Sequence, residues 1–234
     1  MNPPAPSSTT DSDPRPISQQ SVVELVIEEV RRLILEGSLR PGANLSITDL
    51  ARRLEVSHIP VREALRRLET EGLIELRRSR SAVVADLSVS DVEQIFHLRT
   101  MLETDLLQRA IKVYTEDDLE ACRAAWEALT WNSGESTESM SVRHVEFHRS
   151  MYLPALTDWD LRVGQILWQA SERYIYLILG STEVADDPNH FRDAHRDLLD
   201  AVLERSPRLV RKATAEHNAG GVALVTKLLA ARGS

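Results

Sequence analysis

Apolar residues recur along this chain mainly at helical spacing, with one short interruption, and the places where the period changes outline its organisation. Val22, Val26, Ile27, Val30 and Leu33 form a helical stripe within residues 18–35 that runs out at Glu36-Gly37. Leu50, Leu54 and Val56 supply the buried side of a short helix over 47–54, with Ser46 and Asp49 spaced as a capping pair. Val61, Leu65 and Leu68, at intervals of four and three, predict a helix over 57–72. Ser57 stands where a hydroxyl caps the first turn, Pro60 is tolerated within that turn, and Gly72 suits the left-handed position that ends the helix. Two short helices so close together are the helix-turn-helix pattern. The period then shortens: Leu73-Ile74-Glu75-Leu76 and Ala82-Val83-Val84-Ala85 read as the strands of a hairpin around a basic tip, Arg77-Arg78-Ser79-Arg80-Ser81.

Beyond Asp86 the pattern is helical throughout. Ser90 with Glu93, Thr115 with Asp118, and Thr157 with Asp160 are capping pairs that predict helices to about Ala110, Leu129 and Leu179. A helix bearing His144 and His148 lies between a loop at 131–137 and Pro154, and Asp187-Pro188 and Ser206-Pro207 start two more. Six helices with short connections predict a bundle. The domain plan is therefore a disordered tail over 1–17, a small mainly helical unit with a hairpin over 18–87, and an all-helical unit over 88–234. Five prolines in the first 16 residues support the tail.

Composition narrows the function classes. A chain of 234 residues with 42% hydrophobic positions can fold into two modest cores. Cys122 is the single cysteine, which excludes an intrachain disulfide and a thiolate zinc cluster and fits a reducing compartment. Neither a membrane span nor a secretory signal is indicated, so the expected location is the cytoplasm. The net charge of −8 is unevenly spread: residues 21–87 balance at zero, residues 88–234 carry −7, and the stretch 58–80 holds six arginines against four glutamates. A small basic patch on an acidic chain suits specific contact with double-stranded DNA. The helix over 57–72 would lead with His58, Ile59 and Arg62, since the N-terminal end of such a helix reaches base edges.

The second candidate chemistry lies in the histidines. His144 and His148 are four apart and share a helical face, and His195 and His217 sit among apolar residues in the two closing helices. A bundle interior can hold a metal across several helices, and imidazoles suit zinc, nickel, cobalt or iron. The competing reading makes the first two solvated and the last two satisfied core residues. Glu146 lies on another side of the helix, so the hydrolytic H-E-x-x-H pattern is absent, and no carboxylate or serine stands at an evident general-base spacing. Arg99 and Glu103, also four apart, form either a surface ion pair or a cavity-facing clamp for a ligand carboxylate, with Arg149 and Arg173 as weaker candidates for the clamp.

The run L-R-P-G-A-N-L-S-I-T-D-L-A-R-R-L-E-V-S-H-I-P-V-R-E-A-L-R-R-L-E-T-E-G-L-I from Leu39 to Ile74 resembles the signature of GntR-type transcription regulators. Leu98-Arg99 with Glu103, Phe147-His148-Arg149, the segment His195–Val202 and His217 resemble the FCD ligand domain of the FadR subfamily. The resemblance implies a winged helix-turn-helix followed by a six-helix FCD bundle. It implies a homodimer bound to a palindromic operator, with Arg40, Ser57, His58, Arg62, Arg66, Arg78 and Arg80 on the DNA. It also implies a divalent metal held by an aspartate and three histidines, beside which a small organic acid binds. His148, His195 and His217 match the three histidines, and His144 stands in the aspartate's place. Arg99, Glu103 and Arg149 are then the expected effector contacts.

Other departures are His58 where arginine is frequent, Ile47 for glutamate, Ser79 and Ser81 where the wing has glycine, and Thr157 for asparagine. The expected function is a ligand-responsive repressor released by the acid. A metal-ion sensor and a metal-dependent enzyme acting on an organic acid are the alternatives.

Overall fold

A computed structural model describes residues 22–77, 81–130 and 135–232. The chain begins with helix α1 (Val22–Leu35), followed by strand β1 (Asn44–Ser46), helices α2 (Ile47–Arg53) and α3 (His58–Thr70), and strands β2 (Ile74–Leu76) and β3 (Ser81–Val84). The stripes predicted from spacing are the buried ones: Val26 and Val30 of α1, Leu50 of α2, and Val61, Leu65 and Leu68 of α3 close one core over the sheet. Gly72 takes φ +74° and turns the chain out of α3.

The hairpin is part of a three-stranded antiparallel sheet in the order β1-β3-β2, with Leu45 opposite Ala82 and Ile74 opposite Val84. β1 was not among the predicted strands, because three residues with one buried side chain, Leu45, carry too little alternation to read. At the preceding turn, Gly42 adopts φ +75° and donates its N–H to the Val84 carbonyl at 2.9 Å, which stitches β1 to β3. Arg77 N–H to Ser81 carbonyl, 2.8 Å, closes the other end of the hairpin. Ser57 occupies the N-cap of α3 with extended backbone, yet its hydroxyl makes no capping hydrogen bond, contrary to the expectation from sequence.

The bundle consists of α4 (Val89–Ala110), α5 (Glu116–Ala128), α6 (Thr137–Tyr152), α7 (Asp158–Leu179), α8 (Thr182–Asp186), α9 (Pro188–Leu203) and α10 (Pro207–Arg232). Six long helices follow the predicted plan. The five-residue α8 and a 3₁₀ turn at Leu153–Ala155 are additional. Thr115 with Asp118 and Thr157 with Asp160 form the reciprocal capping boxes that their spacing predicts. At α4 the cap is Ser88 rather than Ser90: its hydroxyl accepts from Asp91 N–H at 3.3 Å, and Ser90, already inside the helix, bonds Gln94 instead. Phe147, Leu106, Leu129, Met140 and Leu179 fill the bundle's main core, while Val92, Phe96, Tyr174 and Val225 form a second cluster near the N-terminal unit. α10 stays unbroken through Gly220-Gly221, and the pair serves close packing: a Cβ on Gly221 would come within 3.1 Å of the Phe96 ring.

The two units are joined by polar contacts as well as by the chain. Arg31 of α1 donates to Glu172 on α7 at 3.4 Å and Arg173 donates to the Ala85 carbonyl at 3.3 Å, while the Tyr174 hydroxyl, 3.3 Å from both the Ser88 N–H and the Ser88 carbonyl, holds the start of α4. Arg173 thus stands at the connection between the units. Among the described residues no helix is long and apolar enough to cross a membrane.

Candidate metal centre and nucleic-acid interface

α6 presents His144 and His148 one turn apart on its inner face, α9 brings in His195, and α10 brings in His217. Each offers one ring nitrogen, and these four atoms lie within 4.8 Å of one another. His144 Nε2 and His148 Nε2 are 3.2 Å apart, close to the ~3.3 Å between neighbouring nitrogens around tetrahedral zinc with bonds of 2.0–2.1 Å. The outward nitrogens of two rings face carbonyl oxygens: His195 Nδ1 lies 2.8 Å from Phe191 O, and His217 Nδ1 lies 3.3 Å from Ala194 O. A carbonyl can only accept, so both rings carry their proton on Nδ1 and turn a bare Nε2 lone pair inward. Metal-binding imidazoles are commonly fixed in tautomer and orientation by such a hydrogen bond from the other ring nitrogen.

Burial holds His144, His148 and His195 well below the ordinary imidazole range and pushes His217 down to about 3. Neighbouring imidazoles add to the effect, as does the Arg99 guanidinium for His144, His148 and His217. Four neutral imidazoles with converging lone pairs therefore stand ready at neutral pH. His195 Nε2 is buried with no hydrogen-bond partner, an arrangement that costs stability unless something accepts the lone pair. The donor set fits a divalent transition metal.

Arg99 is buried beside this cluster, at 4% exposure. Its Nε and Nη2 hold Glu103 Oε1 at 3.0 and 2.9 Å, and Nη1 donates to Ser171 Oγ at 3.0 Å. The Arg99–Glu103 pair forms, but in the interior rather than at the surface, and Arg99 also lines the space beside the histidines. Glu103 stands behind the arginine: it also accepts from Trp168 Nε1 at 3.1 Å and Asn218 Nδ2 at 3.2 Å, so its oxygens are engaged in positioning Arg99. Ser171, Trp168 and Asn218 carry no sequence signal of this kind, because they join the site from other helices through the fold alone.

Two cavities flank the histidines, and Arg99 and His144 face both. One, of about 710 Å³, runs from His148 and the exposed Arg149 to Arg31, Arg67 and Glu71 of the N-terminal unit. The other, of about 360 Å³, lies between α7, α9 and α10 and reaches His195 and His217.

The second candidate surface is α3. His58, Ile59, Arg62 and Arg66 are exposed, as are Ser57 and Arg40, and the two arginines project from one side of the helix a turn apart. Arg67, in contrast, is paired with Glu24 at 3.5 Å. With its capping role unfilled, the Ser57 hydroxyl remains available at the leading end of α3. Arg78 and Arg80 lie outside the described residues.

The description "Bacterial regulatory proteins, gntR family" matches residues 23–84, and the FCD domain description matches residues 94–220. The chain is 31% identical to the gluconate operon transcriptional repressor of Bacillus subtilis over 197 residues, covering 83% of this chain and 81% of that protein. It is 26% identical to the uncharacterized HTH-type transcriptional regulator BphR of Paraburkholderia xenovorans, over 93% of this chain and 91% of that protein. Among solved structures it is similar in fold to Escherichia coli McbR/YncC, with a TM-score of 0.70, 21% identity, and coverage of 89% of this chain and 99% of the other.

Proposed function

The chain belongs to the gntR family of bacterial regulatory proteins, with an FCD domain behind its winged helix-turn-helix, and from that premise we propose a metal-dependent, acid-responsive repressor. A DNA-binding transcription regulator, and not an enzyme, is what both matched domains describe. The repressor sign follows the B. subtilis relative, whose name states it. Its place of action is with the DNA, in the cytoplasm.

The observation that supports the finer reading is the convergence of four neutral imidazoles, three of them buried and His217 partly so, beside the buried Arg99. His144, His148, His195 and His217 hold a divalent ion such as zinc or nickel, which supplies a Lewis-acid contact for a carboxylate oxygen. Arg99 binds the same carboxylate through its fork of donors, oriented by Glu103. Arg149 lines the larger cavity together with Arg99, and its charge adds to the field that attracts an acid to this part of the bundle.

The response reaches the DNA through α7. Ser171 bonds Arg99, and the next two residues, Glu172 and Arg173, hold the N-terminal unit through Arg31 and Ala85. An acid that takes Arg99 donors away from Ser171 changes a segment to which the reader is tied. The ligand must favour one arrangement over the other, and a tenfold affinity ratio corresponds to about 1.4 kcal/mol.

On the DNA, Arg62, Arg66 and Arg40 hold phosphates or base edges, Ser57 and His58 lead α3 into the groove, and Arg78 and Arg80 act from the wing. Two readers are needed for a palindromic operator. Leu98 and Met101 on α4, and Val163 and Ile166 on the adjacent α7, are exposed apolar positions that a second copy covers in a homodimer.

The test uses a labelled operator selected from random-sequence DNA. Release by a carboxylate that requires bound metal supports the reading. Four histidines also satisfy a tetrahedral ion by themselves, which favours a second reading in which the metal is the effector. In that case metal alone shifts operator affinity and acids add nothing.

A further inference from the structure

The smaller of the two cavities assigns a chemical class to the acid. We propose that the effector is a monocarboxylate with an extended apolar body, seated between α7, α9 and α10, and this rests on the reading that its carboxylate binds beside Arg99 and the histidines. The cavity starts at that point, since Arg99, His144, His195 and His217 form its inner end. Away from them its wall is apolar, built from Phe96, Ile175, Ile178, Val184, Phe191 and Leu224.

Its volume of about 360 Å³ accommodates roughly a dozen non-hydrogen atoms at water's ~30 Å³ share. A short aliphatic chain or a single aromatic ring with its carboxylate fits that volume. The larger cavity mixes an apolar wall of Leu156, Leu161, Trp168 and Ile175 with the charged Arg31, Glu71, Arg149 and Glu172, and it opens towards the N-terminal unit, so less of it is free of charge.

Charge at the outer end of the smaller cavity selects against a second carboxylate. Glu183, Asp187 and Glu216 stand there with Lys227. Lys227 pairs with Glu183 at 3.1 Å and Lys212 lies 3.8 Å from Glu216, so the lysine that lines the cavity is already engaged by a carboxylate of the protein. A dicarboxylate spanning the cavity would bring its far charge to this acidic rim. Hydroxyl-rich sugar acids would in turn leave their donors unpaired against the apolar wall.

Gly220 provides the means of testing the assignment. It lines the cavity, and a Cβ built on it meets no atom within 4 Å, so a leucine there enters open space on a helix whose propensity it improves. The experiment is calorimetric titration of the full chain, wild type and Gly220→Leu, with acetate, hexanoate, phenylacetate, succinate and gluconate. Metal content and melting temperature are measured in parallel to establish that the variant retains its fold and ion.

The wild type is expected to bind hexanoate and phenylacetate about 10- to 100-fold more tightly than acetate, the gain that burying several methylenes provides. Gly220→Leu is expected to lose that gain while keeping acetate within about twofold of its wild-type affinity. Tighter binding of succinate or gluconate than of hexanoate, or a preference for hexanoate that survives Gly220→Leu, overturns the assignment and leaves acid sensing itself in place. Absence of binding by every acid overturns both.

Discussion

Arg31 Nη1, on the first helix of the reader, lies 3.4 Å from Glu172 Oε2 on the central helix of the bundle, and the same guanidinium holds Glu71 at the C-terminal end of α3. One side chain thus links the end of the DNA-facing helix to the helix that lines the effector site. Glu172 is partly buried, and its carboxyl is raised above the usual range by that burial, with Arg31 opposing the shift. Replacing Glu172 by Gln removes the charge and keeps the shape. The expected outcome is a smaller difference in operator affinity between acid-bound and acid-free protein, reduced by about three- to tenfold, a coupling loss of roughly 0.7–1.4 kcal/mol. Anisotropy titrations with and without the acid measure it, and an unchanged difference would remove this contact from the route.

Arg62 and Arg66 carry the DNA contact in this account. Arg62→Ala should weaken specific operator binding by about 10- to 100-fold, the ~1–3 kcal/mol of a good base contact, and leave melting temperature within a degree or so because the side chain is exposed. Arg66→Ala should lower binding and reduce the slope of affinity against salt by about one ion if its partner is a phosphate. Filter binding across a salt series separates the two roles.

The histidines predict how the metal-free protein responds to acid. They are held neutral in the fold, whereas in the unfolded chain they protonate near the ordinary value of about 6.5. The unfolded state then binds more protons below that pH, so stability is full above about 6.5 and declines as pH falls towards the folded-state values. Each buried histidine contributes up to about 1.4 kcal/mol of loss per pH unit in that window. Melting of chelated protein at pH 7.5, 6.5 and 5.5 should show little change over the first step and a clear fall over the second. A flat profile would mean the rings are not buried as described.

Ile166 tests the dimer. It is 62% exposed in the single chain and touches no core, so Ile166→Asp should leave the fold intact while shifting the protein from dimer to monomer in sedimentation. Operator affinity should then drop by at least about tenfold, since each reader binds alone. A dimer that persists would place the interface elsewhere.

How far the sequence foretold these arrangements depended on the length of the signal. Helices with stripes and capping pairs, such as α3, α5 and α7, were legible to within a residue or two, because spacing and cap chemistry are local properties. β1 was not: a three-residue strand exists only because Gly42 and Leu45 find β3 across the turn. Ser88 displaced Ser90 as the cap of α4 because two serines two positions apart offer nearly the same local signal, and the helix start is settled by packing. At the site, the i and i+4 pairs His144/His148 and Arg99/Glu103 were visible. The partners of that second pair were not, since Ser171 reaches Arg99 across 72 positions of chain, and Trp168 and Asn218 reach Glu103 across 65 and 115. The apolar cavity was likewise invisible, being a shape formed between helices far apart in sequence, from α4 to α10.

The most direct test of the central claim, that a histidine-held metal and a carboxylate together control this regulator, is elemental analysis of the purified full chain coupled to thermal melts with carboxylic acids before and after chelation. The account predicts one divalent ion per chain, lost in His195→Ala, and a rise in melting temperature with hexanoate or phenylacetate that disappears once the metal is removed. A chain that takes up no metal, melts identically in wild type and His195→Ala, and responds to no acid would contradict it.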